Sequence, residues 1–225
     1  MTGYSFKITE EKGGCSLVIN INIAQEVKQE IGRMIGWMGE QKLNDQQIEA
    51  VVSAILNTQD DKQNNINKIF VAGLGRSGFV ARAFAMRLAH LAYSTWILGD
   101  PTAPPLERGD LFVVISGSGK SLKRQIETAI DIGAVIIVAT SVSNSIDARL
   151  ADKALLIPGR EKEEKEGVSM GYEERQMRGL PKFPLGTAFE DFAMIVLDAI
   201  VSTIMEIRGK SEKDLQSRHA NLDEQ

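Results

Sequence analysis

Two patterns of hydrophobic positions divide the chain near residue 66. In the first part, after a start without periodic pattern, apolar residues recur every three or four positions, as on one face of a helix. The first stripe is Val27, Ile31, Met34, Ile35 and Met38; after a start at Asn44 or Asp45, the second is Ile48, Val51, Val52, Ile55 and Leu56. Residues 1–66 are therefore predicted to form a segment with a helical hairpin that packs on the core or on a second subunit.

From Lys68 onward, short apolar runs alternate with longer helical patterns. The runs are unbroken, which is typical of strands buried on both faces of a parallel sheet. The predicted strands are Lys68–Ala72, Thr95–Leu98, Leu111–Ile115, Ala134–Ala139 and Ala154–Ile157. The predicted helices are Ser77–Leu91, Ser121–Ile132, Ser145–Ala151, Ala188–Ile207 and Ser211–His219. This order predicts one doubly wound α/β unit over residues 67–225, with ligands bound at the carboxyl ends of the strands.

One segment interrupts this alternation. Residues Arg160–Arg178 are rich in acidic and basic side chains. Such a composition predicts a solvated loop or helix, and a lid over a substrate is the alternative.

The composition excludes several classes of protein. Of 225 residues, 43% are hydrophobic and 25% are charged, which is ordinary for a globular protein. A net charge of −4 argues against a dedicated nucleic-acid binder, and no apolar run approaches the ~20 residues of a membrane span. A single cysteine, Cys15, excludes an intrachain disulfide, and two histidines exclude a histidine-rich metal cluster. We therefore expect a cytoplasmic protein without a signal peptide and without a nucleic-acid or membrane partner.

The first candidate ligand loop is Gly73-Leu-Gly-Arg-Ser-Gly78, between a predicted strand and a predicted helix. It matches the G-x-G-x-x-G fingerprint of dinucleotide-binding folds, and Asp100 stands about where such a fold has its ribose-binding acid. Arg76 and Ser77, however, place polar donors at the helix N-terminus, where a small anion can bind. A plain strand-to-helix turn that needs glycines is the third interpretation.

The second candidate loop is Ser116-Gly-Ser-Gly-Lys-Ser121, after the predicted strand Leu111–Ile115. Its end resembles a P-loop, but the first glycine of that motif would fall at Val114, inside the strand. The loop is thus too short to surround a triphosphate, although its hydroxyls, amides and following helix can hold one phosphate group. Two such loops after neighbouring strands favour a small sugar phosphate over a dinucleotide.

Glu190 is the candidate catalytic carboxylate. It follows Thr187 by three residues at the start of a strongly apolar helix, as in a capping box. The cap needs no further function; alternatively, a partly desolvated carboxylate near the ligand acts as a general base, and both can hold. His90 is most simply a core histidine, and His219 lies in a polar tail of the kind that is usually solvated.

As a set, the runs GLGRSGFVARAFAMRLAHL, SGSGKS, PLGTAFED and RHANLD resemble the 6-phospho-3-hexuloisomerase family, within the sugar isomerase (SIS) domain group. The resemblance extends from Lys68 to the C-terminus. It implies a three-layer α/β/α sandwich around a five-stranded parallel sheet. It also implies an isomerase that interconverts D-arabino-hex-3-ulose 6-phosphate and fructose 6-phosphate through a 2,3-enediol, without a metal or an organic cofactor.

The resemblance also implies roles for individual residues. Glu190 would be the base, and His219 would reach over from a neighbouring subunit as a partner in ring opening or proton transfer, in a homodimer or homotetramer. The sugar phosphate is expected at Gly75, Arg76, Ser77, Ser116, Gly117, Ser118, Gly119, Lys120 and Ser121. Lys120 and Ser121 depart from the acid or arginine and the threonine that are frequent in the family, but Ser121 keeps the hydroxyl.

Three alternatives stay open. One is a dehydrogenase, which NAD binding would reveal. A second is another SIS isomerase, acting on a pentose or heptose phosphate. The third is a non-catalytic SIS domain that senses a sugar phosphate for a regulator. Such regulators usually carry a DNA-binding domain, and the first sixty-odd residues show no basic recognition helix.

Overall fold

The structure, a computed structural model, describes residues 6–11, 14–19, 23–58, 67–159, 181, 183 and 187–219, which fall into two compact units. The smaller unit holds the antiparallel strands β1 (Phe6–Glu11) and β2 (Gly14–Ile19) and helix α1 (Ile23–Glu40). Helix α1 is predicted by the periodicity of its apolar positions. The β1–β2 hairpin is not predicted, because alternation over so few positions is a weak signal in the sequence.

The larger unit contains a five-stranded, entirely parallel sheet in the order β4–β3–β5–β6–β7. Its strands are β3 (Ile69–Gly73), β4 (Thr95–Ile97), β5 (Leu111–Ile115), β6 (Val135–Thr140) and β7 (Lys153–Leu156). Its helices are α2 (Asp45–Asn57), α3 (Arg76–His90), α4 (Lys123–Ile132), α5 (Ile146–Leu150), α6 (Thr187–Ile207) and α7 (Glu212–Gln216). The predicted α/β fold is confirmed, and each of these strand ends falls within one residue of its predicted position.

Both faces of the sheet are covered because alternate strand residues serve different layers. On one face, Phe70, Phe112 and Ile136 pack with Ile126 and Ala129 of α4. The other face is covered by α3, which contacts β3, β4 and β5 and packs on α6. This layering explains why the strands read as unbroken apolar runs.

Helix α2 completes the larger unit. Its start is the predicted one, because the Asn44 side chain accepts a hydrogen bond from the Gln47 amide at 3.0 Å and so caps the helix. Val51, Val52 and Ile55 are buried, and the helix contacts β7 and α6. Its apolar stripe therefore packs on the core.

The direction in which strands are added to the sheet reverses between β3 and β5. Strand β4 lies on one side of β3, whereas β5, β6 and β7 follow on the other side. Gly73 and Ile115 are register partners, so the two candidate loops leave the sheet next to each other. In open α/β sheets, ligands bind at the carboxyl ends of the strands at such a reversal. The fold thus places both loops at the position where a ligand site is expected.

Candidate functional site

The first loop turns sharply from β3 into α3. A Cβ at Gly73 would lie 2.5 Å from the Ser77 carbonyl oxygen, so only glycine permits this turn. Gly75, the residue before α3, has φ of 57° and ψ of −130°, and nothing lies within 4 Å of the position that its Cβ would take. Its backbone is therefore open to a ligand, in a conformation that favours glycine.

Glu190 reaches from the first turn of α6 to the first turn of α3. The Ser77 hydroxyl donates to Glu190 Oε1 at 3.1 Å, and each residue is only 7% exposed. The other oxygen, Oε2, is buried, finds no hydrogen-bond partner among the described residues and lies 3.9 Å from Arg76 Nε. Arg76 itself is largely exposed and pairs with Asp191 at 2.9 Å. Ser77 thus holds one carboxylate oxygen by a hydrogen bond, while the other lies beside Arg76.

A pocket of about 300 Å³ lies beside this carboxylate. It is lined by Arg76, Phe79, Val80, Glu190, Asp191 and Met194. Its size suits a small ligand, and it combines apolar walls with a few polar groups, as ligand sites commonly do. Phe79, at the edge of the pocket, is 71% exposed.

The second loop points its serines in two directions. Ser118 is half-buried and Ser121 is exposed, and their hydroxyl oxygens lie 3.4 Å apart. Ser116 is 3% exposed, and its hydroxyl accepts a hydrogen bond from the Gly119 amide at 3.1 Å. Ser118 and Ser121 therefore present hydroxyls to the solvent side, whereas Ser116 holds the loop from within.

The remaining residues of this loop are also placed by the fold. The carbonyl oxygen of Gly117 accepts a hydrogen bond from the Ser141 hydroxyl at 2.8 Å, and the Lys120 side chain is exposed. Because carbonyl oxygens repel an anion, tying Gly117 back to the segment after β6 favours anion binding on the outer side.

His219 lies far from Glu190 within its own chain. Its ring centroid is 5.4 Å from that of His90, at the end of α3. Burial lowers the pKa of His90, as do the charges of His219 and Arg87. From Ser77 to His90, helix α3 rises by about 20 Å, at 1.5 Å per residue. A single chain therefore does not bring His219 to the loops.

The dinucleotide interpretation depends on Asp100. This carboxylate accepts hydrogen bonds from the amide and the hydroxyl of Thr102 at 3.0 and 2.8 Å, which lower the pKa of Asp100. The acid is thus engaged within its own turn.

A larger hollow, of about 360 Å³, lies between α4 and the residues after β4. Phe70, Leu98, Pro104, Leu106 and Phe112 contribute to its mostly apolar lining, which contains no carboxylate. Of these two pockets, only the one beside Glu190 is lined by carboxylates.

Within the described ranges, no three His, Cys, Asp or Glu side chains come together as a metal site would need. No helix in the same ranges has the length and hydropathy for a membrane span. The charged segment Arg160–Arg178 lies outside the described residues.

Asp147 is fully buried behind the second loop, although no motif in the sequence singles it out. Asp147 is the second residue of α5, after the N-cap Ser145 and Ile146. An acid in the first turn of a helix is ordinary, because it lies near the positive end of the helix dipole. Only the burial of an acid in so short a helix distinguishes it, and burial is not visible in the sequence.

Comparison with known proteins identifies the family. The family model "SIS domain" matches residues 64–172. An uncharacterized protein of Aeropyrum pernix is 40% identical over 69% of this chain and 74% of its own length. A 3-hexulose-6-phosphate isomerase of Bacillus subtilis is 34% identical over 70% of this chain and 80% of its own.

A solved structure agrees with these relatives. It is a protein from Methanococcus jannaschii for which a molecular function of 3-hexulose-6-phosphate isomerase is inferred. It is 28% identical to this chain and covers 88% of it, with 99% of its own chain matched and a TM-score of 0.65. The loop residues, the parallel sheet and these relatives lead to one assignment: the chain belongs to the SIS domain family and is related to the 3-hexulose-6-phosphate isomerases.

Proposed function

We propose that this protein is a sugar-phosphate isomerase that interconverts D-arabino-hex-3-ulose 6-phosphate and fructose 6-phosphate. The observation that carries the proposal is the Glu190 carboxylate, buried beside the strand-order reversal. One of its oxygens accepts from Ser77, and the other lies 3.9 Å from Arg76 Nε and has no hydrogen-bond partner among the described residues. The related 3-hexulose-6-phosphate isomerases support the choice of substrate.

The phosphate group binds to the second loop. Ser118 and Ser121 offer two adjacent hydroxyls, and Lys120 adds a positive charge at the same turn. Hydrogen bonds from such groups to a charged phosphate are stronger than those to neutral acceptors. The open backbone of Gly75 and the side chains of Arg76 and Ser77 then lie toward the sugar.

The reaction moves a carbonyl group from C3 to C2. Glu190 removes the proton on C2 of the hexulose, and O3 takes up a proton, which gives the 2,3-enediol. The O2 hydroxyl then gives up its proton as the C2 carbonyl forms, and Glu190 returns its proton to C3. One carboxylate serves both transfers, and hydrogen-bond donors around the enediolate stabilise its negative charge. The exchange is redox-neutral within the substrate, so the proposed mechanism requires no external hydride acceptor.

His219 acts in a neighbouring subunit's site. Within its own chain it lies next to His90, about 20 Å along α3 from Ser77, so a role near Glu190 requires a second copy. Imidazole exchanges protons near neutral pH, as ring opening of a sugar requires. We therefore propose a homodimer or homotetramer with active sites shared between subunits.

A coupled assay tests the proposed function. Purified protein is given the hexulose phosphate, and fructose 6-phosphate is measured as it forms; a pentose phosphate and a heptose phosphate are tested in parallel. We expect turnover of the hexulose phosphate alone, and its loss in Glu190→Gln. Turnover of another sugar phosphate would assign a different SIS isomerase. Tight binding of fructose 6-phosphate without turnover of any of them would indicate a sensor.

A further inference from the structure

A buried aspartate supports the second loop from behind and has no role in the proposed chemistry. Asp147 lies in the first turn of α5 and is 0% exposed. Its backbone amide donates to the Gly119 carbonyl oxygen at 2.9 Å. Ser145 packs so closely on Gly119 that a Cβ there would lie 2.0 Å from the Ser145 hydroxyl oxygen. The first turn of α5 and the loop are therefore in direct contact.

The Asp147 carboxylate faces the turn between β5 and α4. Its nearest donors are the amides of Leu122 and Ser121 and the hydroxyl of Ser116. Among the residues that the structure describes, none of them meets either oxygen with full hydrogen-bond geometry. Burial raises the pKa of Asp147, and these three donors oppose the rise. Burial with such weak partners makes the charged form of this carboxylate less favourable than that of an exposed one.

Charged side chains on the neighbouring elements do not compensate Asp147. Helix α4 and strand β6 pack against α5, and β6 contains no charged residue. Among the cations, Lys120, Lys123 and Arg124 are exposed, as is Arg149 of α5. Lys123 pairs with Glu127 at 3.4 Å. Within the described part of the chain, the Asp147 carboxylate forms no ion pair.

Ser121 connects this carboxylate to the proposed phosphate site. Its amide is directed at the Asp147 carboxylate and lowers the pKa of that group, whereas its hydroxyl lies beside that of Ser118 on the outer side of the loop. A phosphate bound to the two hydroxyls thus lies on the outer side of the same loop whose Gly119 carbonyl oxygen accepts from the Asp147 amide. The negative charge of the phosphate repels a negative charge on the carboxylate, because water screens a buried charge less than an exposed one. Of the two anions, the Asp147 carboxylate is the one whose charge burial already disfavours, so it is the one expected to take up a proton.

We propose that Asp147 takes up a proton from solvent when a dianionic phosphate group binds to Ser118 and Ser121, so that affinity depends on pH. This rests on the phosphate site of the proposed function. A bound anion raises the carboxyl pKa, so the complex holds more protons than the free protein. Affinity therefore rises as pH falls through the pKa of the complex, and levels off below the pKa of the free protein. Each unit of difference between the pKa of the complex and the pKa of the free protein changes the affinity about tenfold.

Sulfate is the probe, because it stays a dianion across the range tested. Its dissociation constant is measured from pH 8 to pH 5 for the wild type, Asp147→Asn and Asp131→Asn, which removes an exposed acid from α4. We expect the wild type and Asp131→Asn to bind sulfate about tenfold more tightly at pH 5 than at pH 8. Asp147→Asn should bind with much less pH dependence, and more tightly than the wild type at pH 8. An equal pH dependence in the wild type and Asp147→Asn would overturn the proposal.

A second measurement does not depend on the folding of Asp147→Asn. Infrared difference spectra of the wild type, recorded with and without sulfate at pH 6 to 7, should show a protonated carboxyl band that appears on binding. Ser118→Ala should lose both the binding and the band. If Ser118→Ala binds sulfate as the wild type does, the phosphate site itself is wrong. If binding requires Ser118 but no carboxyl band appears, the phosphate site stands and the role of Asp147 is rejected.

Discussion

At the scale of single residues, Glu190 combines two roles that substitution can separate. Glu190→Gln keeps an oxygen that can accept from the Ser77 hydroxyl, but it cannot take up a proton. We predict near-wild-type melting and an activity lowered by about a hundredfold or more. Asp198→Asn, an exposed acid on the same helix, is the control and should retain activity. If Glu190→Gln lowers only the melting temperature, Glu190 is a structural residue that ties α6 to Ser77 of α3 and not the base.

Ser118 tests the phosphate assignment. Ser118→Ala removes one hydroxyl from the outer side of the loop without touching the hydrogen bond between Ser116 and Gly119. Losing a hydrogen bond to a charged group costs about 1.5–3 kcal/mol, so we predict a KM raised roughly ten- to hundredfold. Steady-state kinetics measures this, with Ser202→Ala on the exposed side of α6 as the control. Unchanged KM and kcat would place the phosphate elsewhere.

At the scale of elements, the contact between the second loop and α5 depends on Gly119. It has φ of +60°, and an added Cβ would meet Ser145 and Thr140. Gly209 has a similar φ of +58° but open space around it, so it isolates the cost of backbone conformation from that of the close approach. We predict that Gly209→Ala loses about 1 kcal/mol of unfolding free energy and Gly119→Ala clearly more, about 2 kcal/mol or above.

Chemical denaturation measures both losses, and sulfate binding then shows whether the loop itself has moved. Gly119→Ala should bind sulfate at least about tenfold more weakly, whereas Gly209→Ala should bind as the wild type does. Equal destabilisation of the two variants would mean that the loop accommodates the methyl group and that α5 does not determine its shape.

At the scale of the whole molecule, the prediction concerns subunits. If His219 serves a neighbouring site, Glu190→Gln and His219→Ala are each inactive, but mixed oligomers contain some sites with both residues intact. We predict that mixing the two variants under conditions of subunit exchange restores part of the activity, measured in the coupled assay. Full activity of His219→Ala would leave the tail without a catalytic role. Inactive mixtures despite proven exchange would mean that the histidine acts within its own chain.

Much of the fold follows from the order of residues along the chain. Strands such as Leu111–Ile115 are recognisable because a sheet buried on both faces demands unbroken apolar runs. Helix α2 is recognisable from its sequence too. Asn44 caps its first turn, and the apolar stripe after Asn44 marks the face that is buried. Helix α4 is an instructive exception: it begins at Lys123, later than predicted, and the residue before it makes no side-chain cap. The amides of Ser121 and Leu122 face Asp147, a partner that local sequence does not reveal.

Fold class, the two loops and the candidacy of Glu190 follow from the sequence alone, because periodicity and glycine spacing are local properties. Which side chains meet depends on the packing of the layers. Ser77 and Glu190 are 113 positions apart and form a hydrogen bond only because α6 packs on α3. The inward turn of Ser116, the burial of Asp147 and the distance of His219 from the loops have the same origin. Each depends on burial and on contacts between distant segments, and these arise only when the layers close around the sheet.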